Sequence, residues 1–358
     1  MEQMKPGRCR SRTLSIAGWI IILLATGVGV ETKRERAFIT AELTRAGAGE
    51  AGTVTAPRKE PVRATIPAVS FAQLPLLAGA EFGIFKTEGL DVSVEEMPPT
   101  ATMAGLIKGE IQFTSAGSSA LRAAASGVPV KLLTGGSEKP AFFLVAQPEI
   151  RRVADLRGKV IAVTSLRSLT DILTRDLLKQ NGVDPGRGDA QIIALRDTAN
   201  ILAGLAAKQV QAGLLSPPFD YQARKMGLNV LLFAGDHIRL LQGGFASSNQ
   251  QIAANPDMIR RFIRGYLRSI EWTQSQKARV VPTIMKIWKV DQETASQTYD
   301  AVKGIWRADG GVSREVLQKE IEMWKESTKA TRDVSVDDLR DFSFLRQAQQ
   351  ELNVKALD

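Results

Sequence analysis

Cysteine and histidine are nearly absent from this 358-residue chain, which contains one of each, Cys9 and His237. A zinc site of the usual Cys/His type needs several such ligands, and a disulfide needs two cysteines, so the composition excludes both. A nucleophilic Cys–His pair is excluded as well. Chemistry based on carboxylates or on a Ser–Lys pair stays open. We therefore expect no metal site and no cofactor.

A basic surface in the body of the chain is also lacking. Of the net charge of +9, the first 63 residues contribute +5, with eleven Lys/Arg and six Asp/Glu. Residues 64–358 hold 36 Lys/Arg and 32 Asp/Glu, without a stripe of basic and aromatic residues. Phosphate-backbone binding depends on such a stripe. We therefore expect no nucleic-acid partner.

The N-terminus contains an uncharged apolar run from Leu14 to Val30, preceded by four basic residues. This pattern is typical of an export signal or a membrane anchor, and no Ala-x-Ala cleavage site follows to decide between them. Residues 31–63 lack periodicity and are predicted to be a flexible tether. We expect residues 1–30 to place the body at the periplasmic or extracellular face of the cytoplasmic membrane.

The body is long enough for two or three cores, and short apolar runs alternate with helical patterns from residue 62 to residue 233. Such alternation predicts an α/β fold with parallel sheets and helices on both faces. Ligands of these folds bind at the carboxyl ends of strands, where this chain carries Ser- and Gly-rich junctions. Helix starts at such junctions suit small polar or anionic ligands.

From residue 256 the chain is predicted to be almost entirely helical, with helices over residues 257–274, 278–288, 292–305 and 314–327. Apolar residues recur there at helical spacing, which indicates a packed core. The mixed charges between Lys319 and Glu326 predict a solvated helix face.

Five segments carry a resemblance to a known family: residues 74–92, 109–113, 155–163, 216–218 and 255–257. In this order they resemble the substrate-binding proteins of ABC importers, in the group for aliphatic sulfonates, taurine and nitrate together with the thiamine-precursor-like binding proteins. The resemblance covers about residues 64–330. No single segment is diagnostic, but their joint order is fairly specific.

The resemblance implies a type II periplasmic-binding-protein fold, with two doubly wound lobes joined by a hinge and a helical C-terminal region. Lobe one would comprise residues 64–145 and 245–330, lobe two residues 146–244, and a C-terminal extension residues 331–358. By position, the ligand-facing residues would be Ser70, Phe71, Gln73, Ser115, Gly117, Ser118 and Ser137 of lobe one and Thr164, Ser165, Ser168, Asp197, Ser216 and Phe219 of lobe two.

Several of these residues have a second interpretation. Ser118 and Ser168 are equally typical of helix caps, and a cap can also bind a ligand. Phe71 and Phe219 can pack the floor between the lobes without touching a ligand. Arg167 would clamp a carboxylate or sulfonate if it turned inward, but an arginine at such a junction is more often solvated.

The favoured function is a non-enzymatic, monomeric receptor that captures a small organic or anionic molecule and delivers it to the permease of an ABC importer. A tethered ligand sensor is an alternative, which a retained anchor would suit. An enzyme of the thiamine-precursor pathway on the same fold is disfavoured, because those enzymes are understood to need an active-site histidine and a cysteine-rich iron-binding motif. The identity and the charge of the ligand stay open.

Overall fold

A computed structural model describes residues 59–357. The predicted signal or anchor and most of the predicted tether lie outside the described residues. The first strand begins at Glu60, within the last residues of that tether. Between residues 59 and 357, no helix has the length and hydropathy needed to cross a bilayer.

Ten strands form the framework of the described chain. In chain order they are β1 Glu60–Ile66, β2 Leu90–Glu96, β3 Phe113–Thr114, β4 Val130–Leu132, β5 Phe143–Ala146, β6 Val160–Val163, β7 Gln191–Ala194, β8 Ala212–Leu215, β9 Asn229–Phe233 and β10 Ala246–Ser248. They form two five-stranded sheets, in the orders β2-β1-β3-β10-β4 and β7-β6-β8-β5-β9.

Each sheet is mixed, whereas the alternation along the chain predicted parallel sheets. In the first sheet β10 runs antiparallel to β3 and β4, and in the second β5 runs antiparallel to β8 and β9. These two strands are the first ones that the chain forms after passing from one sheet to the other. The remaining pairings, β1 with β2 and β3 and β6 with β7 and β8, are parallel as predicted.

Helices follow most of the strands up to β9. They are α1 Leu74–Glu81, α2 Ile84–Thr87, α3 Pro99–Lys108, α4 Gly117–Ala125, α5 Leu169–Gln180, α6 Thr198–Ala206, α7 Phe219–Lys225 and α8 Ala234–His237. Short 3-10 turns occupy Phe71–Gln73, Val153–Leu156 and Pro185–Arg187. The central strands of the second sheet, β5, β6 and β8, are almost wholly apolar and buried, as expected of strands covered on both faces.

After β10 the described chain is helical apart from its connections, which confirms the predicted helical region. The helices are α9 Asn249–Ala254, α10 Pro256–Ser275, α11 Lys277–Trp288, α12 Gln292–Val302, α13 Arg314–Thr328, α14 Val336–Leu339 and α15 Ser343–Glu351. The apolar side of α10 packs into the core of the first sheet, where Phe262 stacks on Phe113 with ring centroids 3.7 Å apart.

The C-terminal segment packs on the same core. Leu345 and Ala348 are buried in it, and Glu351 pairs with Arg260 and Arg264 of α10. Because α14 and α15 cover part of the first core, residues 336–351 pack as part of that body.

Two crossover segments, residues 133–142 and 234–245, connect the sheets. They pair with each other where Ser137 and Gln242 exchange backbone hydrogen bonds of 2.7 and 2.8 Å. At Gly136 an added Cβ would lie 2.4 Å from both the Gln242 carbonyl oxygen and the Gly244 nitrogen. Gly243 and Gly244 have left-handed φ values of 81° and 86°, which favour glycine. The backbones of the two crossovers are therefore in direct contact.

The helical region holds the crossovers in place. Arg307 pairs with Glu138 at 2.8 Å and with Asp309 at 2.9 Å, and all three side chains are largely buried. The Trp306 indole N–H donates to the Phe71 carbonyl at 3.0 Å. The segment between α12 and α13 therefore fastens the first crossover to the turn that follows β1.

We expect Gly136→Ala to destabilise the protein by about 1–3 kcal/mol, because the added methyl group overlaps the second crossover. The free energy of unfolding from guanidinium titration measures this. Gly304→Ala is the matched control, since Gly304 has no heavy atom within 4 Å of an added Cβ. Equal stability of the two variants would show that the crossovers are not in tight contact.

Candidate functional site

Two adjoining cavities lie between the sheets, at the carboxyl ends of β1, β3, β6 and β8. We call the first, of about 250 Å³, the aromatic cavity, because Phe71, Phe142 and Trp288 line it. We call the second, of about 570 Å³, the serine cavity, because Ser115, Ser118 and Ser119 line it. Both are also lined by Ser70, Ser168, Leu169 and Gln242. The two cavities therefore adjoin at these residues, and together we call them the cleft.

The aromatic cavity is built on a stacked pair. The rings of Phe71 and Trp288 lie 4.1 Å apart between centroids with an interplanar angle of 17°. Phe71 is 2% exposed and forms the floor, and Trp288 is half-buried. Stacked aromatic side chains of this kind present a flat apolar surface to a second ring.

Hydroxyl groups form the opposite wall of the aromatic cavity. Thr170 Oγ1 lies 2.8 Å from both Thr164 Oγ1 and Ser168 Oγ, and it accepts from the Thr164 N–H at 3.0 Å. Ser216 Oγ lies 3.3 Å from Thr198 Oγ1. Each hydroxyl has one donor and two acceptor positions, so this network holds the groups in place and leaves capacity for a ligand.

The serine cavity is bordered by the start of α4. Gly117 is needed there, because an added Cβ would lie 2.2 Å from the Gly243 carbonyl oxygen of the second crossover. Ser115 is 1% exposed, and its Oγ has no hydrogen-bond partner among the described residues. Gln73, which is 4% exposed, lines the same cavity.

Glu320 of α13 also lines the serine cavity, which corrects the prediction of a solvated helix face at this residue. The packing of α13 against α4 leaves its side chain 3% exposed. Its Oε2 accepts from Ser118 Oγ at 2.6 Å and from the Arg122 guanidinium at 3.3 Å. Burial raises the pKa of this carboxyl, and the Ser118 and Arg122 contacts oppose that rise.

The structure distinguishes the alternative interpretations of two serines. Ser168 is the N-cap of α5, where its hydroxyl accepts from the Asp171 N–H at 3.5 Å, and it also lines both cavities. Ser118 is not a cap, since α4 begins after Ala116 without a side-chain cap, and its hydroxyl donates to Glu320.

Nine of the thirteen predicted site residues line the cleft. In the aromatic cavity these are Ser70, Phe71, Thr164, Ser168 and Ser216, and in the serine cavity Ser70, Gln73, Ser115, Gly117, Ser118 and Ser168. Arg167 lines the serine cavity too, with an exposed side chain and a left-handed φ of 66°. Their contact with a ligand stays a prediction.

Four predicted residues line neither cavity. Ser137 is buried in the pairing of the crossovers, where its hydroxyl donates to the Lys139 carbonyl at 2.9 Å. Ser165 is exposed on the junction loop. Asp197 is exposed and caps α6 by accepting from the Asn200 N–H. Phe219 packs against the apolar core beneath β8. Each position is therefore accounted for by local structure.

Trp288, Gln242 and Glu320 line the cleft without having been predicted. Trp288 and Glu320 lie on helices of the C-terminal region, where periodicity indicates only a core face or a solvated face. Gln242 lies in the second crossover, and its side chain accepts from the Ala141 N–H at 3.2 Å. No local signal distinguishes these residues from ordinary helix and loop positions.

Asp220 lies in α7, directly after the Ser216–Phe219 turn that borders the aromatic cavity. Its side chain is 5% exposed, and Oδ1 has no hydrogen-bond partner in the described part of the chain. Desolvation raises the pKa of Asp220 to about 6, although backbone N–H groups and Arg224 favour the ionised form. This carboxylate is therefore a source of pH-dependent instability beneath the cleft.

A family model described as "NMT1/THI5 like" matches residues 70–278. A curated relative, the riboflavin-binding protein RibY of Chloroflexus aurantiacus, is 26% identical over 271 residues, which are 74% of this chain and 72% of the relative. The family resemblance noted in the sequence is thereby confirmed.

Solved structures show the same fold at low identity. A putative periplasmic sulfonate-binding protein SsuA from Methylobacillus flagellatus superposes with a TM-score of 0.66 at 17% identity, over 84% of this chain and 96% of that one. The periplasmic nitrate-binding protein NrtA from Synechocystis superposes with a TM-score of 0.63 at 16% identity, over 84% and 90%. The predicted type II periplasmic-binding-protein fold is therefore confirmed.

We expect Asp220 to lower the unfolding free energy of the wild type progressively from about pH 4 to about pH 6. Below pH 3.8 Asp220 is protonated in both the folded and the unfolded protein, whereas between 3.8 and about 6 only the folded protein keeps the proton. The loss amounts to about 3 kcal/mol, at 1.36 kcal/mol per pKa unit. Asp220→Asn lacks this carboxyl, so its stability relative to the wild type should improve by about that amount across the interval.

Urea unfolding at a series of pH values measures this difference. Asp333→Asn is the matched control, since the Asp333 side chain is 100% exposed. A stability difference between wild type and Asp220→Asn that does not change with pH would contradict a buried, uncompensated Asp220.

Proposed function

Because the chain belongs to the NMT1/THI5-like family, we propose that it is an extracytoplasmic solute-binding protein, which captures a small organic ligand between its two sheets and delivers it to the permease of an ABC importer. The observation that carries this proposal is the cleft, to which strand ends of both sheets contribute. A receptor of this type needs only a higher affinity for its ligand in the closed form than in the open form.

The lining of the cleft favours a ligand with a flat ring and several hydrogen-bonding groups. Phe71 and Trp288 offer a stacking surface, and the hydroxyls of Thr164, Ser168 and Ser216 face the same space. The serine cavity of about 570 Å³ falls in the usual range of small-molecule sites, roughly 300–1,000 Å³. RibY binds riboflavin by its name, and a ring with a polyhydroxyl chain is the kind of ligand that this lining suits.

Contacts across the mouth of the cleft support a closing motion. The Tyr221 hydroxyl of α7, on the second sheet, donates to Glu293 of α12 at 2.9 Å. Lys225 Nζ lies 3.1 Å from Glu293 and 3.4 Å from Asp291. The charged groups are well exposed, so water screens each ion pair and its contribution is small. Moving α7 away from α12 would break these contacts together.

The two alternatives receive less support. A tethered ligand sensor would use the same cleft as a transport receptor but would act on a different partner. It would also retain the N-terminal segment, which is not among the described residues. An enzyme of the histidine-dependent type would need His237 in the site. His237 is exposed in α8 and lines neither cavity.

We expect native mass spectrometry of the exported, undenatured protein to detect a bound small molecule containing a ring. Trp288→Leu should weaken the binding of that molecule by about 1 kcal/mol or more, because the stacking surface is lost. A saturating ligand at a hundredfold its Kd stabilises the wild type by about 2.7 kcal/mol, which a thermal-shift assay detects.

Trp272→Leu serves as the control for this substitution. Trp272 packs on Phe82 with centroids 4.5 Å apart and lines neither cavity, so its loss affects stability and not ligand affinity. Chemical conversion of the bound molecule would contradict the receptor function. Equal affinity of wild type and Trp288→Leu would remove the aromatic cavity from the ligand site.

We also expect the double variant Tyr221→Phe, Lys225→Met to bind the same molecule up to about fivefold more weakly, because the exposed contacts that these two side chains make favour the closed form only slightly. Isothermal titration calorimetry at low salt measures the change, which should shrink at high salt as the ion pairs are screened. Lys86→Met is the control, since its pairing with Asp91 joins α2 to β2 on the first body and does not cross the cleft. An unchanged affinity at low salt would show that these contacts do not stabilise the closed form.

A further inference from the structure

The start of α4 has the features of an anion site. Its first N–H groups have no partner within the helix, and the positive end of the helix dipole lies there. Arg122, one turn further along α4, adds a guanidinium that reaches the serine cavity. The buried, unpartnered hydroxyl of Ser115 lies beside them. A sulfonate, phosphate or carboxylate would ordinarily be favoured at such a position.

The chain's own carboxylate already pairs with Arg122 and with Ser118 in the first turn of α4. Glu320 accepts from Ser118 at 2.6 Å and from Arg122 at 3.3 Å, and only 3% of its side chain is exposed. The positive charge of Arg122 is therefore offset by Glu320 before any ligand enters. A second anion would lie beside a buried carboxylate, where solvent screens the repulsion poorly.

From these contacts we propose that Glu320 is a specificity-determining residue, which makes the serine cavity reject anionic groups and accept an uncharged, hydrogen-bonding group of the ligand. The inference rests on the proposed function, because it takes the cleft as the ligand site. Glu320 lies outside residues 70–278, so the family match does not extend to it.

Glu320 offsets the positive charge of Arg122. Two other cationic side chains lie near the cavity, and neither takes the place of Arg122 as an anion ligand. Arg167 lines the cavity with an exposed side chain, so water screens its charge. Lys319 precedes Glu320 on α13 and is absent from the cavity lining. An uncharged donor, such as a hydroxyl or an amide, would still find the Glu320 carboxylate and the Ser115 hydroxyl as acceptors.

Inorganic sulfate tests the proposal without knowledge of the natural ligand. We expect the wild type to show no saturable binding of sulfate up to about 10 mM, and Glu320→Gln to bind it saturably with a Kd of about 1 mM or less, because the carboxylate charge that offsets Arg122 is then gone. Calorimetric titration gives the affinity, and thermal shift confirms saturation. Adding Arg122→Gln to Glu320→Gln should abolish the gain.

Two controls separate charge from disturbance of the fold. Glu322→Gln makes the same change at an exposed position of the same helix and should gain nothing. Ser118→Ala removes a hydrogen bond from Glu320 but keeps its carboxylate, and it should also gain nothing.

Two results would overturn the proposal. One is a folded Glu320→Gln variant that binds sulfate no better than the wild type. The other is saturable sulfate binding by the wild type that Arg122→Gln removes, which stays informative if Glu320→Gln fails to fold. Neither depends on whether a ligand is carried after purification, so failure of the receptor function is detected separately by mass spectrometry.

Discussion

The backbone pairing of the two crossover segments is the constraint on which the rest of the structure depends. Ser137 and Gln242 exchange hydrogen bonds there, and Gly136 and Gly244 allow the two chains to touch. The same pairing sets the distance between the sheets, and so the depth of the cleft. Small rotations at a paired, glycine-rich connection change that depth without disturbing either core, which is how hinge closure works in two-sheet binding folds.

The cleft is organised by polar groups that satisfy one another. Thr164, Ser168 and Thr170 share hydrogen bonds, and Ser118 and Arg122 converge on Glu320. Buried polar groups with internal partners stay fixed when the cleft is empty, so less ordering is needed when a ligand binds. Among the described residues the Ser115 hydroxyl of the cleft is an exception, and so is Asp220 beneath it, where one carboxylate oxygen has no partner and burial holds the pKa at about 6.

Family membership and the lining of the cleft contribute different information about function. The family and the shared fold support the proposed capture of a solute between two sheets. The proposed chemistry of the solute rests on side chains that this chain supplies: a Phe–Trp stack, a wall of hydroxyls and a carboxylate near a helix start. Structural neighbours that are named for sulfonate or nitrate binding therefore do not identify the ligand of this protein.

Sequence alone determined the elements and the fold class, because alternating apolar runs, caps such as Ser168 and the helical spacing after residue 256 are local signals. Nine of the thirteen residues that it predicted for the site line the cleft, since strand ends of an α/β fold converge. Only the tertiary structure decided that β5 and β10 run antiparallel, that Trp288 meets Phe71 and that Glu320 meets Ser118 across 202 positions. The physical reason is that such contacts depend on how complete layers pack, and local periodicity at Glu320 is the same for a solvated face as for a buried one.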